Sequence, residues 1–162
     1  MNQPISNFSD LAQQIKSWGI ELGFDEVGIT NTDLGVHETY LLNWLTEGCH
    51  GEMHYMSKYG NKRSRPKQLV PGTIRIISTR INYQAPDAVN EEDVLNNKGQ
   101  AYISRYALGR DYHKVIRKRL QKLAEKIEIE VGLFGYRAFV DSAPVLEKAL
   151  AEKAGLGWIG KH

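Results

Sequence analysis

Phe139-Val140-Asp141-Ser142-Ala143-Pro144-Val145-Leu146-Glu147 is the stretch whose reading decides the fold. Tyr136 to Asp141 reads as an apolar strand that ends on a carboxylate. Val145 to Ala154 reads as a helix that starts straight after it, with Pro144 suited to the first turn. Gly155 is placed to end that helix, and Gly155-Leu156-Gly157-Trp158-Ile159-Gly160-Lys161-His162 follows as a glycine-rich loop. Loops at the carboxyl ends of strands are where α/β proteins put their chemistry.

Working back toward the N-terminus, Ser9 can cap a helix that carries Leu11, Ile15, Trp18 and Leu22 on one face and stops at Gly23. Residues 26–30 read as a short strand. His37 to Glu47 reads as a helix with Leu41, Trp44 and Leu45 inward. Thr73 to Tyr83, rich in Ile and Thr, reads as a core strand, and residues 84–99 as a surface loop. Asp111 to Val131 is the longest helix, with Ile116, Leu120, Leu123 and Ile127 as its apolar stripe and basic residues opposite. Strands and helices mix without a strict alternating rhythm, so the expected class is α+β rather than a doubly wound sheet.

The 162 residues suffice for one domain with a sizeable core, and 41% hydrophobic with 25% charged content is that of a globular chain. No apolar run reaches the length of a membrane span, and the first residues lack the pattern of a signal peptide. The single cysteine, Cys49, excludes an internal disulfide, fits a reducing cytoplasm, and is too few to hold an iron–sulfur cluster within this segment. Charge is unevenly spread. Residues 58–80 hold seven cations and no acid, and residues 105–122 hold seven cations against Asp111; together they carry +13 in a chain of net +2. Such clusters either bind a polyanion or form solvated faces.

Gly155-x-Gly157-x-x-Gly160 matches a dinucleotide fingerprint in letters, but a helix precedes it where a strand is required. His50-Gly51-Glu52-Met53-His54 departs from the zinc helix pattern and reads as a turn followed by a short helix that packs Met53 and Met56. Asp141 is the leading catalytic candidate. At a helix N-terminus its carboxylate either caps the helix or, if desolvated under a bulky apolar group, donates a proton. Ser104-Arg105-Tyr106-Ala107-Leu108-Gly109-Arg110-Asp111-Tyr112-His113 alternates aromatic, cationic and glycine residues, which suits ring or phosphate binding as well as a helix start capped by Asp111.

These segments, with Arg63-Ser64-Arg65-Pro66 and Ala151-Glu152-Lys153-Ala154 before the glycine loop, keep their order along the chain. On them the chain resembles the epoxyqueuosine reductases. The resemblance implies a nitroreductase-like α+β domain that binds cobalamin base-off, of which residues 1–162 would be the N-terminal portion, incomplete at its C-terminus. In the family a ferredoxin-like module with two [4Fe–4S] clusters follows; it is absent from this chain. The implied activity is reduction of epoxyqueuosine to queuosine at the wobble position of tRNA, the last step of queuosine biosynthesis. The segment alone is not expected to be competent for turnover.

By the same resemblance, Asp141 matches the proton donor and lies at the cofactor. Arg63, Ser104, Arg105 and Tyr106 match positions lining the cobalamin, and Gly157, Trp158, Gly160, Lys161 and His162 match the loop along the corrin edge. His162 is not assigned to cobalt, because base-off binding in the family uses no protein histidine. No metal ligand is expected in the segment. Lys114, Arg117, Lys118 and Arg119 are then expected on phosphates of the anticodon arm. The implied partners are that tRNA and an electron donor, with no membrane; the protein is expected to be a cytoplasmic monomer. Two other readings stand beside this one: a non-catalytic tRNA-binding module, and another cobalamin or flavin reductase on the same fold.

Overall fold

The computed structural model describes residues 7–84 and 88–160. Helix α1 (Phe8–Glu21) leads into strand β1 (Glu26–Thr30) and helix α2 (Gly35–Thr46). Two 3₁₀ turns (His54–Met56 and Gly60–Arg63) and the short helix α3 (Pro66–Leu69) precede strand β2 (Ile76–Arg80). Helix α4 (Glu91–Asn96), a 3₁₀ turn (Arg105–Ala107), helix α5 (Tyr112–Val131) and helix α6 (Glu147–Lys153) complete the order. The mixed α+β class is as expected.

The sheet is one antiparallel pair, with Glu26 opposite Arg80, Gly28 opposite Ser78 and Thr30 opposite Ile76. Alternation along the strands divides the core in two. Val27, Ile29 and Ile77 face α1 and α5, where Ile15, Phe24, Leu123 and Ile127 are buried. Ile76 faces the other way, onto Leu34, Ala149 and Leu150. Two glycines permit close packing of these layers. A Cβ on Gly19 would lie 2.2 Å from Val27 Cγ2, and one on Gly28 would lie 2.6 Å from the Ala154 carbonyl oxygen, so α1 and α6 can both close on β1.

Several expectations change. Asn7, not Ser9, caps α1: its Oδ1 accepts from Ser9 N at 2.8 Å and Asp10 N at 3.0 Å. The Thr73–Tyr83 strand shortens to Ile76–Arg80 and is half-buried rather than core, because among the described residues it pairs on one side only. The polar stretch 84–99 contains α4, capped by Asn90 Oδ1 on Glu92 N at 3.0 Å. Residues 136–141 form no strand; a strand needs a ladder partner, and among the described residues none runs beside them. The last helix begins at Glu147, with Pro144 ahead of its first turn, so Asp141 stands six residues before it and is not its cap. Met53 is 42% exposed rather than packed.

Candidate active site

Helix α5 begins at Tyr112 because Asp111 caps it, Oδ1 accepting the His113 backbone N–H at 3.0 Å. The same oxygen is 3.0 Å from His113 Nδ1. This cap fixes two consecutive rings, Tyr112 and His113, which stack with centroids 4.0 Å apart. Tyr106, from the 3₁₀ turn, meets Tyr112 edge-on at 6.1 Å.

Asp141 comes to these rings from the other side. It alone among the described non-glycine residues has a positive φ, +53°, a backbone conformation that Asp tolerates better than most side chains. Its Oδ2 accepts the Tyr112 phenol O–H and lies 3.7 Å from His113 Nε2. The hydrogen bond to Asp141, with desolvation and the carboxylate charge, pushes Tyr112 up to about 12. The phenol is therefore a standing donor at any working pH. Asp111 is held below the usual carboxylate range, chiefly by its hydrogen bond to His113. Glu147 turns its carboxylate back on the Asp141 backbone N–H; burial pushes it up, and the Asp141 charge adds to the effect. Beside the cluster a cleft of about 170 Å³ is lined by Ile81, Tyr83, Arg105, Tyr106, Arg110 and Tyr112, among others.

The structure brings some of the residues singled out from the sequence together with Asp141 and leaves others apart. Tyr106 belongs to the cluster. Arg105 lines the cleft, but its guanidinium is engaged by the Val89 carbonyl at 3.0 Å and Glu91 at 3.1 Å. Ser104 precedes the same turn and is exposed. Arg63 is buried at 8% exposure. Its Nη2 donates to the Tyr55 carbonyl at 3.1 Å, its carbonyl accepts from Leu146 N, and its Nε is buried without a partner. The Leu146 contact ties it to the loop that follows Asp141. Gly157 has φ +145° with open space where a Cβ would point, Gly160 is exposed, and Trp158 is 88% exposed. The side-chain hydrogen bond and ion pair given for Asp141 are with Tyr112 and His113, not with these three. Lys161 and His162 lie outside the described residues. The Gly155-x-Gly157-x-x-Gly160 letters do follow a helix, α6.

On the basic face of α5, Lys114, Arg117 and Lys118 are exposed, Lys114 at 4.0 Å from Asp111. Arg119 is used otherwise: Nη1 donates to the Gly23 carbonyl at 2.7 Å, closing the C-terminal end of α1. The first basic segment is likewise partly consumed within the fold, Arg65 on Glu38 and Arg80 on Glu26. Sequence reasoning singled out Asp141 and, separately, the Ser104–His113 block with Asp111 as its cap, but did not pair Asp141 with Tyr112 and His113.

No three His, Cys, Asp or Glu side chains gather as a metal site among the described residues, and no helix there is long and apolar enough to cross a membrane.

Comparison with known proteins bears on this arrangement. The family model described as epoxyqueuosine reductase QueG, DUF1730, matches residues 63–142, which include Arg63, the α5 start and Asp141. The chain is 64% identical over 152 residues to the epoxyqueuosine reductase of Pseudomonas aeruginosa, covering 94% of this chain and 42% of the relative. In fold it is similar to epoxyqueuosine reductase from Streptococcus thermophilus, with TM-score 0.73 and 27% identity over 93% of this chain and 40% of that one. It is also similar to an epoxyqueuosine reductase solved with an epoxyqueuosine-modified tRNA-Tyr stem loop, with TM-score 0.72 and 24% identity over 94% of this chain and 40% of that one. The chain thus spans about 42% of the length of the curated relatives it matches. Along nearly all of its own length the chain is similar to the epoxyqueuosine reductases, and their family model matches residues 63–142 of it.

Proposed function

We propose that the protein to which this chain belongs reduces epoxyqueuosine to queuosine at the wobble position of tRNA, with residues 1–162 as part of a nitroreductase-like, cobalamin-binding domain. The observation that carries the reading is Asp141, a carboxylate held on left-handed backbone, half open to solvent, and gripped by a phenol whose proton is held more tightly than an ordinary tyrosine's. In this reading Asp141 protonates the epoxide oxygen as its C–O bond opens. A positioned acid lowers the barrier because negative charge builds on that oxygen. Tyr112 aims the carboxyl group. Tyr106 and the adjoining cleft offer aromatic and cationic surface to a ring or a phosphate.

The residues fit cobalamin, taken in this reading as bound base-off. Arg63 Nε is buried without a partner, a polar atom that a corrin side-chain amide would satisfy. Arg63, Ser104, Arg105, Tyr106 and the Gly157–Gly160 loop would hold the group, and the open space at Gly157 leaves room for close backbone approach. When bound and reduced, cobalamin supplies the electrons for C–O cleavage. Two [4Fe–4S] clusters that would feed it need cysteines this chain lacks, since it holds only Cys49. Lys114, Arg117 and Lys118 remain exposed and available to phosphates of the anticodon arm.

The test is nucleoside mass spectrometry on tRNA from a strain lacking the gene, complemented with wild type or Asp141→Asn. Epoxyqueuosine should accumulate in the deletion and in the variant, and queuosine should return with wild type. Normal queuosine in a deletion strain with no second enzyme for the step would refute the function. Normal queuosine with Asp141→Asn would remove Asp141 as the donor.

A further inference from the structure

We propose that His113 is a positioning residue that returns protons to Asp141, an inference that rests on the reading above. Reduction of an epoxide to an alkene expels the oxygen as water, and so consumes two electrons and two protons for each substrate. The electrons come from the reduced cofactor and its donor. Asp141 holds one proton at a time, so it must be reloaded before the second is needed.

The geometry offers one route. Asp111 is held ionised and is then an acceptor only, so the imidazole nitrogen 3.0 Å away, Nδ1, carries its hydrogen. Nε2 is left with the lone pair in the neutral ring. It faces Asp141 Oδ2 at 3.7 Å, a gap that a small rotation or one water closes. A proton taken up at Nε2 is therefore sited to pass to Asp141 Oδ2, directly or through one water. Tyr112 shares the same Oδ2 but keeps its own hydrogen, and fixes the carboxylate without exchanging with it. The other charged groups nearby are Glu147, at the Asp141 amide, and Lys114, 4.0 Å from Asp111.

The steps balance. The Asp141 O–H bond breaks and an O–H bond forms on the epoxide oxygen. The ring, its side chain 45% exposed, next takes a proton from solvent hydronium onto Nε2; that Nε2–H bond then breaks and the Asp141 O–H bond re-forms. Asp141 then protonates the hydroxyl, which leaves as water as the alkene forms with the second electron of the pair supplied.

The experiment uses the full-length, cofactor-loaded enzyme on epoxyqueuosine tRNA. His113→Gln should slow product formation on the order of tenfold or more, and tens of millimolar imidazole should restore it. His113→Asn, which can keep the bond to Asp111 without supplying Nε2, should show the same defect with unchanged tRNA binding and circular dichroism. Nitrogen NMR of the full-length protein without substrate should find neutral His113 as the Nδ1–H tautomer. A variant rate within twofold of wild type, a defect that imidazole leaves in place, or the Nε2–H tautomer would each overturn the relay. A wild-type enzyme that leaves epoxyqueuosine unchanged would instead overturn the functional reading, while the tautomer would still test the relay's geometry.

Discussion

Glu38→Gln should destabilise the protein at neutral pH and cease to matter in acid. Glu38, on α2, accepts from Arg65 Nη2 at 2.8 Å, Arg65 Nε at 3.0 Å and Ser64 Oγ at 2.6 Å. These contacts fasten the Arg63–Ser64–Arg65 segment, and with it buried Arg63, to the helix. The bond to Arg65 is the largest cause of a carboxyl lowered from 4.5 to about 2, with Ser64 next and burial opposing. Unscreened, a depression of that size corresponds to about 3 kcal/mol. Glu38 is 20% exposed and Arg65 is 47% exposed, so water and salt reduce this, and an exposed bidentate pair is worth about 1 kcal/mol. The folded value lies below the unfolded one. The contribution is therefore complete above pH 4.5 and is lost as pH falls from there toward about 2. In urea unfolding at pH 7, the variant's midpoint should drop by about 0.5 M, given a slope of about 2 kcal/mol per molar. Near pH 2 the two midpoints should converge. An equal gap at both pH values would refute the ionic account and leave only lost packing.

Asp141→Asn should lower the titration of Tyr112 from about 12 toward the ordinary tyrosine range, because a full charge leaves the acceptor. Carbon NMR of labelled tyrosine reads this, and an unmoved Tyr112 would mean that the two do not meet in solution. Lys118→Ala and Arg119→Ala should separate. The first weakens tRNA binding and flattens its salt slope by about one contact's worth without altering stability. The second removes the bond to the Gly23 carbonyl and costs about 1 kcal/mol of stability. Parallel effects of the two on binding alone would return Arg119 to the tRNA face.

The helices were legible where a periodic stripe and a capping residue coincided. Asp111 and the Ile116–Ile127 stripe predict α5 to within one residue, since both signals are local. The failures are non-local. Phe139 and Val140 carry strand propensity, but propensity makes no strand without a neighbour to pair with, and β1 pairs with β2 alone among the described residues. Pro144 looked like a first-turn residue, yet the chain needs residues 141–146 to pass Arg63 before the helix starts, as the Leu146–Arg63 bond shows. Asp141 was legible as a candidate, but its partners lie 29 residues or so earlier, and no spacing rule links them. The tally of basic residues overstated the free positive surface, because Arg63, Arg65, Arg80, Arg105 and Arg119 are engaged within the fold.

Asp111 shows how one residue can satisfy a local rule and a distant one together. As a cap it satisfies the His113 N–H and fixes where α5 starts; as a carboxylate it holds the His113 ring. Successive helical residues point about 100° apart, so a one-residue slip of that start would swing Tyr112 and His113 away from Asp141. The two roles separate by substitution. Asp111→Ser retains an N-cap oxygen and should change stability by only a few tenths of a kcal/mol, whereas Asp111→Ala should cost about 1 kcal/mol. Both variants remove the charged acceptor at Nδ1, so both should release the ring to the Nε2–H tautomer. If Asp111→Ser keeps His113 in the Nδ1–H form, the cap geometry alone orients the ring, and the carboxylate has no part in aiming it at Asp141.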